Sequence, residues 1–158
     1  MGGARAPGAV AVIGLGAMGL PMARALLRGG FAVRGYDVRP LAREAFTTDG
    51  GIAAETARAA TAGATAVMLM VVDAAQAEAA LFDEGALDAM AEDGVVVLTA
   101  TCPPAAVEAL AARVTANGRR FVDAPVSGGT AGATAATLTV MVAGPAVPCS
   151  APRPRCRC

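Results

Sequence analysis

The segment Gly14-Leu15-Gly16-Ala17-Met18-Gly19, directly behind the apolar run Val10-Ala11-Val12-Ile13, constrains this chain more than any other. A Gly-x-Gly-x-x-Gly string alone says little. Between a buried strand and a helix it becomes specific, because each glycine then has a task. Gly14 permits the tight turn, Gly16 lets the backbone approach a pyrophosphate, and Gly19 lets the helix pack close to the strand. The amides and dipole at the helix start face the anion. A helix over Ala17 to Leu27 fits, with Met18, Met22, Ala25 and Leu26 on one face and Arg24 and Arg28 elsewhere. Pro21 is tolerated only in about the first turn, which puts the start near Ala17.

The competing reading is a glycine-rich turn that binds nothing. Asp37 weighs against it. It ends the second expected strand, 23 residues after Gly14, close to the roughly 20-residue offset at which an acid meets ribose hydroxyls. Such a carboxylate would repel a 2′-phosphate, favouring NAD over NADP. Arg39 blurs that preference, and either stacking on adenine or standing in solvent suits it.

The rest of the chain alternates short apolar runs with longer Ala-rich segments. Strands are expected at Ala9–Ile13, Phe31–Tyr36, Gly51–Ala53, Ala66–Val72 and Val95–Thr99, with another beginning at Phe121–Val122. Helices are expected at Leu41–Phe46, Glu55–Ala60, Ala75–Phe82 and Pro104–Ala116, with Pro103 and Pro104 suiting the first turn of the last. Strands that are apolar throughout point to an α/β fold of the Rossmann type. That is a doubly wound, mostly parallel sheet with helices on both faces. Of 158 residues 55% are apolar; 41 are Ala, and the larger side chains still suffice for one packed core. The expected organisation is a leader over residues 1–8, a dinucleotide-binding domain over 9–144, and a Pro-, Arg- and Cys-rich tail over 145–158 without periodicity, read as disordered.

Charge and cysteine usage exclude several classes. Thirteen cations balance thirteen acids, and no aromatic and basic interleaving marks a nucleic-acid or lipid surface. The uncharged run Ala6–Ala23 holds four Gly and two Pro, which argues against a signal or membrane span. Three of the four Cys (149, 156, 158) fall in the tail, without Cys-x2-Cys spacing and in a chain with no His. That argues against a metal site and for a reducing, cytoplasmic setting.

A second candidate site lies on the far strands. In Asp123-Ala-Pro-Val-Ser-Gly-Gly-Thr-Ala-Gly132, Ser127, Gly128 and Gly129 offer a hydroxyl and two amides to a carboxylate or hydroxyl of a small substrate. A plain tight loop is the alternative. Thr101 ends a strand near the same crevice. Cys102 lacks a His to activate it as a nucleophile.

With these segments in view the chain resembles the β-hydroxyacid dehydrogenases, the family of 3-hydroxyisobutyrate and 6-phosphogluconate dehydrogenases. The resemblance rests on Gly14-Leu-Gly-Ala-Met-Gly-Leu-Pro-Met-Ala23, Asp123-Ala-Pro-Val-Ser-Gly-Gly129 and Thr137-Leu-Thr-Val-Met-Val-Ala-Gly144. Val71-Val-Asp-Ala-Ala-Gln-Ala-Glu78 and Thr99-Ala-Thr-Cys-Pro103 look most like the L-threonate dehydrogenase branch. It implies that Gly14, Gly16, Met18 and Gly19 hold the pyrophosphate, with Asp37 at the adenosine ribose; Leu15, Ala17 and Arg39 are counted with them as cofactor-binding. Val71, Val72 and Thr101 would flank the nicotinamide side, and Ser127, Gly128 and Gly129 would hold substrate. The implied cofactor is NAD, with NADP as the alternative. The implied reaction is reversible hydride transfer from the CH–OH group of a small hydroxy acid, in a homo-oligomer.

Two departures stand out. The family places a catalytic lysine some tens of residues beyond Gly144, in an all-α second domain. The 158 residues contain no lysine, so the expectation is a chain truncated before its catalytic acid/base, with no catalytic residue assigned here. The alternative class is an NAD(P)-binding module or fragment without turnover. The second departure is Ala136, which stands where the family pattern shows Gly.

Overall fold

A computed structural model describes residues 8–144. The expected tail with Cys149, Cys156 and Cys158, and the leader except for Gly8, lie outside the described residues. The elements run β1 (Val10–Ile13), α1 (Gly19–Arg28), β2 (Val33–Tyr36), α2 (Pro40–Thr48), β3 (Ile52–Ala53), α3 (Ala57–Thr61), β4 (Ala66–Leu69) and α4 (Ala74–Glu78). A π-helical turn (Ala79–Asp83) continues α4, followed by α5 (Ala86–Ala89), β5 (Val95–Leu98), α6 (Pro104–Ala116), β6 (Arg120–Asp123), β7 (Val126–Ser127), α7 (Gly129–Ala135) and β8 (Thr139–Val140).

Six strands form one sheet in the order β3-β2-β1-β4-β5-β6, every neighbouring pair parallel. This is the doubly wound order in which strand succession reverses beside β1, between β1 and β4. Ligands bind such sheets in the crevice beyond the strand carboxyl ends at that reversal. The apolar runs owe their length to burial on both faces. All four residues of β1 are buried. One face packs Val67, Leu69, Val96, Leu98 and Phe121 under Leu81, Leu87, Leu110 and Val114. The other packs Val12, Leu15, Ala23 and Val33 around Phe46, whose ring lies where a side chain on Gly35 would stand.

The expected elements of the sheet are present, with ends moved for local reasons. Helix α1 is regular from Gly19, although its first i→i−4 bond, from the Leu20 amide to the Gly16 carbonyl (3.0 Å), already embraces the loop. Strand β4 stops at Leu69 rather than Val72. The Met70 amide still donates to the Ile13 carbonyl (2.9 Å), after which the chain turns out and Asp73 caps α4 through the Gln76 amide (2.9 Å). The expected helix Ala75–Phe82 divides, because beyond Glu78 the winding widens and the Glu84 amide bonds to Ala79 five residues back (2.9 Å). The segment after Asp123, for which the sequence predicts no further strand or helix, contains β7 and β8, paired antiparallel, and the short helix α7 between them. Its Gly-Thr-Ala-Gly-Ala-Thr-Ala sequence has no apolar periodicity to announce a helix. Among the described residues, no helix is long and apolar enough to cross a membrane.

Candidate dinucleotide site

The loop between β1 and α1 is shaped by two of its three glycines. Gly14 has φ of +93°, and a Cβ there would stand 2.1 Å from the Met70 carbonyl oxygen. Backbone packs on backbone at that point. A Cβ on Gly19 would stand 1.8 Å from the Gly14 carbonyl oxygen, so only glycine lets the helix sit so near the turn. Gly16 differs. The nearest atom to a Cβ there is an Arg39 guanidinium nitrogen at 3.5 Å, an ordinary contact. The fold itself leaves room for a small side chain at Gly16. Among the described residues, no acceptor meets the backbone N–H groups of Gly16, Ala17 or Met18. They precede a ten-residue helix whose dipole favours an anion.

Asp37 lies just beyond β2, nearly buried, with its side chain 7% exposed. Its Oδ2 accepts from the Leu15 amide (2.8 Å), and its Oδ1 accepts from the Arg39 amide and Nε (both 2.9 Å). Arg39 Nη2 closes a second ion-pair bond to Oδ2 at 3.1 Å. Burial pushes the carboxyl upward in pKa, but the hydrogen bonds from Arg39 and Leu15 outweigh it and hold Asp37 below the usual carboxylate value. Arg43 supports the turn from beneath, donating to the Asp37 carbonyl (2.8 Å) while paired with Glu55 (3.2 Å).

A cavity of about 560 Å³ opens at the sheet's reversal point. It brings together Gly14, Gly16, Asp37, Arg39, Val71 and Val72 from three separate stretches of chain. A shallower hollow on the other side of the loop joins Leu15, Ala17 and Gly16 to Arg39. Met18 immediately precedes α1 without a side-chain cap bond and lines neither. Thr101 stands exposed after β5, and Ser127, Gly128 and Gly129 lie exposed at the junction of β7 and α7; none of the four lines the cavity.

Sequence reasoning named neither Tyr36 nor Glu84 as part of this cavity, yet both line it. Burial, followed by the nearby Glu84 charge, pushes the Tyr36 hydroxyl upward in pKa. No sequence signal marks Glu84, because the π-helical turn before it shifts the register that a regular helix would give. Gln76, quoted only within a longer motif, accepts from the Val72 amide (3.2 Å) and steadies the cavity wall. Cys102 is a poor nucleophile: burial raises its thiol pKa, and the negative charges of Asp123 and Asp73 raise it further.

Sheet order, glycine loop and acid together define a Rossmann-type dinucleotide-binding domain. Comparison with known proteins narrows this class. The family model for the NAD binding domain of 6-phosphogluconate dehydrogenase matches residues 9–154, and the chain belongs to that family. It is 42% identical over 138 residues to an L-threonate dehydrogenase of Cupriavidus necator, covering 87% of this chain and 46% of that protein. Its fold matches a Mycobacterium tuberculosis 3-hydroxyisobutyrate dehydrogenase, described with L-serine, at a TM-score of 0.84 and 32% identity, covering 88% of this chain and 47% of that one. A solved structure described as Psf3 in complex with NADP+ and 2-OPP is similar at a TM-score of 0.79 and 28% identity, covering 86% and 49%. The resemblance to the β-hydroxyacid dehydrogenases, L-threonate dehydrogenases included, is thereby established. The chain spans about half the length of the relatives it matches.

Proposed function

We propose that residues 9–144 bind a nicotinamide dinucleotide and that the domain serves an oxidoreductase acting on the CH–OH group of a small hydroxy acid. The observation that carries the binding reading is Gly16: an open glycine the fold does not require, beside unpartnered amides at a helix start. In this reading the amides of Gly16, Ala17 and Met18 hold the pyrophosphate, while Leu15, Gly14 and Gly19 shape the turn. Asp37 and Arg39 face the adenosine ribose. Val71, Val72 and Thr101 flank the nicotinamide, which when bound accepts or returns hydride. Ser127, Gly128 and Gly129 orient the substrate. L-Threonate is one candidate substrate, on the 42% identity to an L-threonate dehydrogenase.

These residues bind and orient. None is assigned the proton transfer at the substrate hydroxyl, because the chain has neither lysine nor histidine and an ordinary Asp, with a pKa of roughly 3.9, is a poor base near neutrality.

Titration of NADH into wild-type chain and Gly16→Ala tests the reading. A methyl at Gly16 should leave the unfolding free energy in urea within about 0.5 kcal/mol of wild type and weaken NADH at least tenfold. A cooperatively melting wild-type chain that binds neither NADH nor NADPH would refute it.

A further inference from the structure

The chain from Asp123 to Ser127 is paired along one side by residues 139–143, which run antiparallel to it in unbroken register. That pairing fixes which backbone groups of the returning stretch point inward. The Ala143 amide donates to the Asp123 carbonyl (2.7 Å), and the Ala143 carbonyl accepts from the Asp123 amide (2.9 Å). The Met141 amide donates to the Pro125 carbonyl (3.0 Å). Backbone groups alternate in direction along a strand, so residues 139, 141 and 143 face inward while Val140 and Val142 turn their N–H and C=O to the open side. No strand pairs on that side, and the Val142 amide and carbonyl meet no backbone partner among the described residues. Val140, Met141 and Val142 are all at least half exposed, and the stretch from Thr137 to Gly144 carries no charge. Sheets guard such edges with charged side chains, proline or a bulge. This edge has none of the three.

An unguarded edge is a template for another strand, and the register here suits a second copy of itself. About a two-fold axis through Met141, Val140 lies opposite Val142 of the second copy, and Val142 opposite its Val140. The outward N–H and C=O of both valines in both copies are then satisfied in four hydrogen bonds, with the two Met141 residues facing each other in the closer, non-hydrogen-bonded pair. A neutral strand meets no like-charge repulsion in pairing with itself. The sequence after Gly144 is a poor alternative, because Pro145, Pro148, Pro152 and Pro154 each lack the N–H a ladder needs. We propose that residues 139–143 are a self-association edge, through which two copies of this chain join in an isologous dimer. One short edge is small beside the about 1,200 Å² of a standard interface, so the dimer should be weak, with a Kd on the order of tens of micromolar.

Sedimentation equilibrium of the full chain, under reducing conditions and over concentrations bracketing that value, tests it. Wild type should move from monomer to dimer and no further, because a two-fold pairing uses up the edge. Val142→Pro removes an N–H that the monomer leaves unpaired, so it should melt like wild type yet weaken the dimer about tenfold or more, two hydrogen bonds being lost per dimer. Val140→Lys brings like charges together across the axis and should weaken it too. It is the readout if the proline variant does not melt cooperatively. Ile52→Lys, on the exposed β3 at the opposite end of the main sheet, should leave the dimer unchanged. A monomer at every concentration, species that grow beyond a dimer, or a dimer that Val142→Pro and Val140→Lys leave intact would overturn the proposal. So would a dimer lost in Ile52→Lys.

Discussion

The β1–α1–β2 unit and the shorter β7–α7–β8 unit are both a strand, a helix and a strand that turn on glycines, yet they are held in different ways. In the first, β1 is buried along its whole length and the loop behind it is tied to β2 through Asp37. In the second, the strands have two residues each, and Val140, Met141 and Val142 are all at least half exposed. Helix α7 is built only of Gly, Ala and Thr and ends on Ala136 at φ +56°, the one non-glycine residue in the left-handed region among those described. The contrast teaches where shape comes from. Around Gly14 it follows from close contact that leaves no alternative. Around Gly128 it follows from backbone hydrogen bonds and from small residues alone, Gly128 and Gly132 lying against Leu138, with no large apolar side chain contributed by α7.

Gly14→Ala should break the first unit most severely. It places a methyl on the Met70 carbonyl in a conformation side chains rarely adopt, costing about 3 kcal/mol or more by urea unfolding. A loss under about 1 kcal/mol would show that the loop yields, and the contrast would collapse. Asp37→Asn comes next, at about 2 kcal/mol near neutral pH, because a buried charged acceptor of four hydrogen bonds is weakened. The pH dependence sharpens the test. A carboxyl held below its usual value contributes stability above roughly pH 4 and loses it as pH falls through the folded-state value. The gap between wild type and Asp37→Asn should therefore close on acidification, and a constant gap would mean that charge is not what Asp37 contributes. The smallest effect belongs to the second unit. Ala136→Gly should raise stability by about 1 kcal/mol, since glycine adopts the left-handed conformation without the Cβ penalty. A destabilised variant would mean that the methyl of Ala136 packs usefully.

Much of the first unit can be read in advance. Gly14, Gly19 and Asp37 stand at spacings set by a strand, a turn and a helix, and α6 has the expected bounds 104–116, its start marked by prolines. The second unit was opaque. Nothing in Gly-Thr-Ala-Gly-Ala-Thr-Ala distinguishes a helix from a loop by apolar period, although the departure at Ala136 did point to a place where glycine is the natural choice. Glu84 was opaque for another reason. Its position depends on the wide turn that precedes it, and nothing in Ala79–Asp83 identifies that turn beforehand.

Taken alone, the amino-acid order settles which segments become the strands of the main sheet and most of the helices that cover it, that those strands are parallel and buried, and that an acid follows the glycine loop at the dinucleotide spacing. These are matters of local period and local turn chemistry. Folding decides what the acid is doing. Leu15 and Asp37 meet only because β1 and β2 pair in parallel, Ile13 opposite Tyr36, and that pairing brings an amide 22 residues away onto the carboxylate that Arg39 also grips. Spacing places a carboxylate at the site; the partners that fill its lone pairs are a property of three dimensions.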